Sequence, residues 1–174
     1  MNIFATSDCP RECAEALDDK RVGKMLMEAN QMLSQAVKRY QPLVPVGDGL
    51  AVRGTAYQTH PCTLWAGTSR GNFTWLLRHA YALSDVFQTT YGQRHASSAR
   101  TSFLQNFEYC IPEGEQTPFV NCARNVGRGL DFTHLDVITA YRVYLSVRWN
   151  NDVRPVTWTN REVPSWRLWD LESA

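Results

Sequence analysis

The chain has 174 residues, a formal net charge of +1, 44% hydrophobic residues and 20% charged residues, which is typical of one globular domain with its own core. No apolar stretch approaches the roughly 18 to 20 residues that span a membrane, and the N-terminus lacks the basic and apolar segments of a secretory signal. We therefore expect a single domain over residues 1–174, located in the cytoplasm and without a membrane partner.

Helical periodicity dominates the pattern of apolar residues. It predicts a short helix from Asp8 or Pro10 to Leu17, a long helix over Asp19–Tyr40, a short helix from Pro61, a long helix over about Gly71–Tyr91 and a short one over Ser98–Phe107. Two prolines and two glycines in residues 41–50 predict a break. No convincing set of alternating strands is found, apart from a short β element near Asn2–Thr6.

The last third of the chain combines irregular segments with one more helix. Residues 110–130 are rich in Gly, Pro and polar residues, and a loop of that length in a compact domain suggests a function. Residues 131–149 predict a helix, with Thr133 and Asp136 resembling a capping box, and the tail after it is loop-like. The predicted fold class is all-α: a single compact helical domain with long irregular loops.

One polar stripe stands out on the first long helix. It contains Arg21, Lys24, Glu28, Gln31 and Gln35, at intervals of three, four, three and four, so these side chains share one face. The stripe is either a solvated face with ordinary ion pairs or one wall of a site. In a site, a carboxylate between two cations can act as a general acid or base, and the cations can hold a phosphate.

The cysteines and His60 raise the question of a metal. The five cysteines are odd in number, and without a secretory signal we expect reduced thiols. A zinc site could be drawn from Cys9, Cys13, His60 and Cys62, but the spacing matches no common zinc finger or ribbon. We therefore predict no metal and no cofactor. His60 precedes Pro61 and should stand at a helix entrance, where it either transfers protons or caps the helix.

Two further groups of residues are candidates for binding nucleic acid. Arg70, Asn72 and Trp75 belong to TSRGNFTW, where an aromatic ring beside an arginine can stack on an unpaired base. The alternative is a turn followed by core aromatics. Asn121 and Arg124 lie in the long loop, and exposed polar loop residues are often functional. No Walker loop, dinucleotide-binding glycine pattern, GxSxG elbow or HExxH motif is present.

A family resemblance combines these motifs. DDKRVGKMLMEANQML at residues 18–33 and HPCTLW at 60–65, followed by an aromatic-rich helix, resemble the pyrimidine dimer DNA glycosylase family and small phage proteins that share the pattern. The resemblance implies a phage protein in the host cytoplasm that grips double-stranded DNA and flips a nucleotide. It also implies a glycosylase/lyase acting on a damaged or modified pyrimidine, with Glu28 at the position of the family's catalytic glutamate.

The sequence departs from this family in its nucleophile. The family uses the α-amine of a threonine exposed by removal of the initiator methionine to form a Schiff base. Asn2 should disfavour that removal, so we expect the amine of Met1 or of Lys24 to replace it. Met27 stands where the phage endonuclease has an arginine. The predicted catalytic residues are Glu28, Lys24 and His60, and the predicted DNA-binding residues are Arg21, Gln31, Arg70, Asn72, Trp75, Asn121 and Arg124.

Two alternatives to the glycosylase remain open at the level of sequence. The first is a DNA thymine hypermodification transferase that joins a free amino acid or amine to pyrophosphate-activated 5-hydroxymethyluracil. Arg21, Lys24, His60 and Glu28 would suit that reaction without an N-terminal nucleophile. The second is a non-catalytic DNA-binding protein, in which the same side chains would affect only affinity and its salt dependence.

Overall fold

Six α-helices and one short β-hairpin form the part of the chain described by the computed structural model, residues 1–43 and 57–169. The helices are α1 (Pro10–Ala16), α2 (Asp19–Tyr40), α3 (Pro61–Ala66), α4 (Arg70–Tyr91), α5 (Ser98–Gln105) and α6 (Val137–Asn150). Strand β1 (Arg124–Asn125) pairs antiparallel with β2 (Leu130–Asp131). The prediction of an all-α fold is confirmed. The predicted break at residues 41–50 falls largely outside the described residues.

The two 22-residue helices, α2 and α4, pack against each other and carry much of the core. The apolar stripe of α2 is buried throughout, from Val22 to Val37, because residues three and four apart share one helix face. Phe73, Leu76 and Leu83 face it from α4. Helix α1 packs on α4, α3 packs mainly on α2, and α5 packs on both α2 and α4.

Residues 3–6 are buried, but the first six residues form no strand, so the predicted β element near Asn2–Thr6 is wrong. The side chain of Asn2 accepts hydrogen bonds from the amides of Ile3 and Phe4, and Phe4 has a φ of 43°, which extended strands do not adopt. The Phe4 ring packs between Tyr141 and Tyr144 of α6. The beginning of the chain is therefore anchored beside α6.

Helix α6 begins later than predicted. Thr133 donates its amide and hydroxyl hydrogens to Asp131, so its side chain is not available to cap a helix. Asp136 is the N-cap, and its carboxylate accepts from the Thr139 amide at 3.0 Å. Tyr141, fully buried on α6, accepts from the Cys122 amide and donates to the Val120 carbonyl. This ties the long loop to α6.

The segment between α5 and β1 follows the N-terminal end of α4. The amides of Arg70 and Gly71 donate to the carbonyls of Pro112 and Gly114, and the Ser69 hydroxyl donates to the Glu115 carbonyl. These bonds satisfy amides that a helix N-terminus leaves without intrahelical partners. No helix among residues 1–43 and 57–169 has the length and apolarity needed to cross a bilayer.

Candidate active site

A cleft of about 690 Å³ lies between α2, the start of the chain, the entrance to α3, the loop before β1 and α6. Six predicted site residues line it: Arg21, Lys24, Glu28, His60, Asn121 and Arg124. A separate cavity of about 720 Å³ near α1 and the C-terminal segment contains none of the predicted site residues. The fold therefore brings these six residues to one cleft.

Three nitrogen atoms lie close to the carboxylate of Glu28. Its Oε2 accepts from the Asn2 amide at 3.0 Å and lies 3.7 Å from the amine of Met1. Its Oε1 lies 3.7 Å from Nζ of Lys24, one helical turn earlier. The Glu28 side chain is only 12% exposed, so the carboxylate faces the cleft and the amine while the protein shields its other sides. Lys24 is 68% exposed and can swing into the cleft.

The carboxylate of Glu28 is close enough to the amine of Met1 to take a proton from it. A primary amine becomes a nucleophile when a nearby group takes its proton, and a carboxylate within reach can serve as that base and later as an acid. Glu28 also holds the Asn2 amide, which fixes the direction of the first peptide bond. The arrangement is suited to covalent attack by the amine on an electrophilic carbon in the cleft.

Arg21 lines the cleft, but its guanidinium is already engaged. It donates to Asp18 at 2.8 Å and to Asp152 at 2.7 Å, and the residue is buried. Burial works against the charged guanidinium, yet the two carboxylates leave the pKa of Arg21 raised. A charge neutralised by two partners attracts a phosphate weakly. The predicted phosphate contact of Arg21 stays a prediction.

His60 is the N-cap of α3, and Pro61 occupies the first turn. Its Nδ1 accepts from the Cys62 amide at 3.2 Å. Burial lowers the pKa of His60, and the positive charge of the Met1 amine lowers it further. The lowered pKa favours the neutral imidazole near neutral pH. His60 both caps α3 and lines the cleft.

Two thiols lie beside His60. Cys62 is fully buried, and its sulfur lies within 4.8 Å of the sulfur of Cys122, which lines the cleft. The interaction with Cys62 lowers the pKa of Cys122 to about 7, with help from Arg124 and the amine. The interaction with Cys122, together with burial, raises the pKa of Cys62. The spacing along the chain gives no signal for this pair, because it depends on how the long loop folds against α3.

The long loop presents two predicted residues to the cleft in different ways. Asn121 accepts from the Ala123 amide and donates to the Leu135 carbonyl, so its amide group shapes the loop. Arg124 is exposed at the rim. Tyr144 and Arg148, one turn apart on α6, complete that side of the cleft, and Arg148 donates to the Tyr144 hydroxyl at 3.1 Å. Their spacing of four residues on one helix is the signal in the sequence that places them on one face.

Four predicted DNA-binding residues lie outside the cleft lining: Gln31, Arg70, Asn72 and Trp75. Asn72 is buried, and its side chain bonds to the Trp65 carbonyl and to Thr117. The Trp75 indole donates to the Asp8 carbonyl. Arg70 pairs with Glu113 at 3.4 Å. These contacts explain Arg70, Asn72 and Trp75 as parts of the fold, and the role of all four residues in DNA binding stays a prediction.

One of three comparisons with known proteins identifies a family. A family model described as pyrimidine dimer DNA glycosylase matches residues 1–95, more than half of the chain. The matched part contains Met1, Lys24, Glu28 and His60, whereas the loop and α6 side of the cleft lies beyond it. No curated protein matches the chain, and no solved structure matches it.

Proposed function

Because the chain belongs to the pyrimidine dimer DNA glycosylase family, whose function is DNA base processing, we propose that it removes a damaged or modified pyrimidine from double-stranded DNA and then cleaves the strand. The nucleophile in this proposal is the N-terminal amine, seen here on Met1, and Glu28 is its proton acceptor. The observation that carries the proposal is the 3.7 Å separation between that amine and Glu28 Oε2 in the cleft.

The first step needs access to C1′ of the target nucleotide. Rotating the nucleotide out of the duplex costs a few kcal/mol, and it costs less where a lesion already weakens pairing. The cleft volume of about 690 Å³ is enough for one nucleotide. Exposed Lys24 and Arg124, together with Arg148 on α6, place positive charge around the opening, where backbone phosphates would lie.

The covalent steps use the amine and the carboxylate in turn. Glu28 accepts a proton from the amine, and the nitrogen lone pair forms a bond to C1′. The glycosidic bond breaks, its electron pair leaves with the base, and the base takes the second proton of the attacking nitrogen, relayed by water. Glu28 returns its proton to the ring oxygen as the sugar opens to a protonated Schiff base. Loss of a C2′ proton to a base then expels the 3′-phosphate and nicks the strand.

Glu28→Gln should separate chemistry from binding. The amide cannot accept the proton, so nicking of ultraviolet-damaged duplex DNA should fall by about 10²- to 10⁴-fold, while affinity for the same DNA changes little. The matched control is Glu113→Gln, because Glu113 is 86% exposed and lies outside the cleft lining. Nicking at the wild-type rate in Glu28→Gln would remove Glu28 from the mechanism.

Borohydride trapping on abasic duplex DNA should identify the amine. We expect a covalent adduct that peptide mapping places on the N-terminal peptide, with intact-mass measurement defining the first residue. Acetylation or a fixed extension of the N-terminus should abolish trapping, whereas Lys24→Ala should retain it. An adduct that is lost in Lys24→Ala and kept after N-terminal extension would assign the chemistry to Lys24.

The amine–carboxylate pair favours the glycosylase over the two alternatives. A transferase would need an amino acid or amine co-substrate, and no described contact favours such a ligand over DNA. The appearance of a new nucleoside in hydroxymethyluracil DNA treated with the protein and a free amino acid would revive that alternative. A binding-only protein would leave lesion DNA intact. A phage origin and a place in the host cytoplasm stay predictions.

A further inference from the structure

A cluster of metal-binding atoms lies at one wall of the cleft, where His60 and Cys122 line it. The side chains of His60, Cys62 and Cys122 each bring one ligand atom to within 4.8 Å of the other two. It is the one group of three or more such side chains found among residues 1–43 and 57–169. Cys122 lies 60 residues beyond Cys62, so the cluster is a product of the tertiary fold.

The chemistry of the three donors selects a particular kind of ion. Two thiols and an imidazole are soft or borderline ligands, which favour zinc over magnesium or calcium. Zinc bonds of about 2.3 Å to sulfur and 2.0 Å to nitrogen place tetrahedral ligand atoms roughly 3.5 to 3.8 Å apart. The observed spread of up to 4.8 Å needs only a small inward movement of the side chains.

The burial of the three residues indicates which side of a bound ion would have no protein ligand. Cys62 is fully buried behind the cleft wall, whereas His60 and Cys122 both line the cleft. An ion held by all three would have its free side toward the cleft. Three protein ligands with one open position are the arrangement of catalytic zinc sites, since structural sites are closed by a fourth protein ligand.

We propose that His60, Cys62 and Cys122 form a three-ligand zinc site whose fourth position opens into the cleft beside the N-terminal amine. The site would join the entrance of α3 to the long loop, two sides of the cleft. His60 Nδ1 accepts from the Cys62 amide, so an ion bound at that nitrogen would replace this hydrogen bond, whereas one bound at Nε2 would leave it in place. The proposal does not depend on the glycosylase chemistry.

The contacts within the cluster support this assignment. The ligand atoms of Cys62, Cys122 and His60 all lie within 4.8 Å of one another, so all three can reach one ion. Zinc binds deprotonated sulfurs and a neutral imidazole, so binding of the ion would release the thiol protons. Cys9 and Cys13 are not members of the cluster.

Cobalt titration tests the proposal without any activity measurement. The full chain is reduced, stripped of metal with a chelator and titrated with Co²⁺ and then Zn²⁺. We expect thiolate-to-cobalt charge-transfer bands and intense tetrahedral d–d bands that saturate at one equivalent and vanish with one equivalent of Zn²⁺. Zinc should also protect two of the five thiols from a thiol reagent.

Three variants define the ligands. Cys122→Ser should abolish the cobalt bands, and His60→Asn should weaken cobalt binding at least tenfold while its side chain still caps α3. Cys110→Ser is the matched control, because Cys110 is a partly buried free cysteine outside the cluster, and it should bind as the wild type does. Cys62→Ser removes a fully buried thiol, so circular dichroism must first show that this variant folds.

Two results would overturn the proposal. The first is the lack of saturable cobalt bands in the reduced wild-type protein, or bands of equal intensity in Cys122→Ser. The second is a Cys62–Cys122 disulfide that forms readily in air while the reduced protein binds no metal. That result would make the cluster an oxidisable thiol pair.

Discussion

At the scale of single residues, Glu28 contacts both of the first two nitrogen atoms of the chain. The Asn2 amide lies 3.0 Å from Oε2 and the Met1 amine 3.7 Å from the same oxygen. A carboxylate placed in this way can serve an amine carried by either residue. The departure at Asn2 therefore does not remove the amine–carboxylate pair on which the family chemistry depends.

Another single residue, His79, should make stability depend on pH. Burial lowers its pKa to about 4, while its Nδ1 lies 2.9 Å from the Pro10 carbonyl and its ring stacks on Trp75. The unfolded chain binds the proton near the ordinary value of about 6.5. Between these values the unfolded state carries more protons, so stability is fully present above about pH 6.5 and falls as pH drops toward 4.

Comparing His79→Gln with the wild type isolates this contribution. Between pH 7 and pH 4.5 the wild type should lose about 2 kcal/mol more free energy of unfolding than the variant, since one pKa unit corresponds to about 1.4 kcal/mol. Urea denaturation at the two pH values provides the measurement. Equal losses in both proteins would show that His79 titrates alike in the folded and unfolded states.

At the scale of elements, the long loop is ordered because it packs against the first turn of α4. The fit is close at Gly71: a Cβ there would lie 2.3 Å from the Gln116 amide nitrogen. The loop then continues to Asn121, Cys122 and Arg124, which line the cleft. The packing of the loop against the first turn of α4 therefore helps to position these three residues in the cleft.

Gly71→Ala should disturb both stability and the cleft. Displacing the loop backbone should cost about 1 to 3 kcal/mol, as overpacking does elsewhere, and should make the Cys122 thiol react faster with a thiol reagent. Thermal unfolding and thiol kinetics measure the two effects. Gly127→Ala is the control, because its Cβ would lie no closer than 3.6 Å to any atom. Wild-type behaviour of both variants would contradict the coupling.

At the scale of the whole molecule, the C-terminal segment folds back onto the junction of α1 and α2. Arg161 donates to the carbonyls of Glu15 and Leu17 and to the carboxylate of Asp19 at 2.7 Å. Asp19 also accepts from Thr157 and Thr159. Burial alone would raise the pKa of Asp19, but these hydrogen bonds leave it lowered. Charged and polar contacts thus help to hold the C-terminal segment, while Trp158 from the same segment joins the hydrophobic core.

Arg161→Met should destabilise the whole protein. The change leaves a largely buried Asp19 carboxylate without its cation, and breaking a buried pair in this way typically costs about 3 to 5 kcal/mol. The remaining threonine hydrogen bonds place the expected loss at the lower end of that range. Denaturant unfolding measures it, with exposed Arg154→Met as the control. Equal stability of the two variants would show that the C-terminal segment contributes little to folding.

The sequence by itself determined the helices and the proposal for Glu28. Apolar spacing is a local property of the chain, so it predicts α2 and α4 and brings Lys24 and Glu28 onto one face. The tertiary structure decided which partners these residues meet. It paired Arg21 with Asp152, and it placed the thiol of Cys62 beside that of Cys122. Such contacts link positions far apart in the chain, and no local periodicity encodes them, because they depend on how the loops pack across the helices.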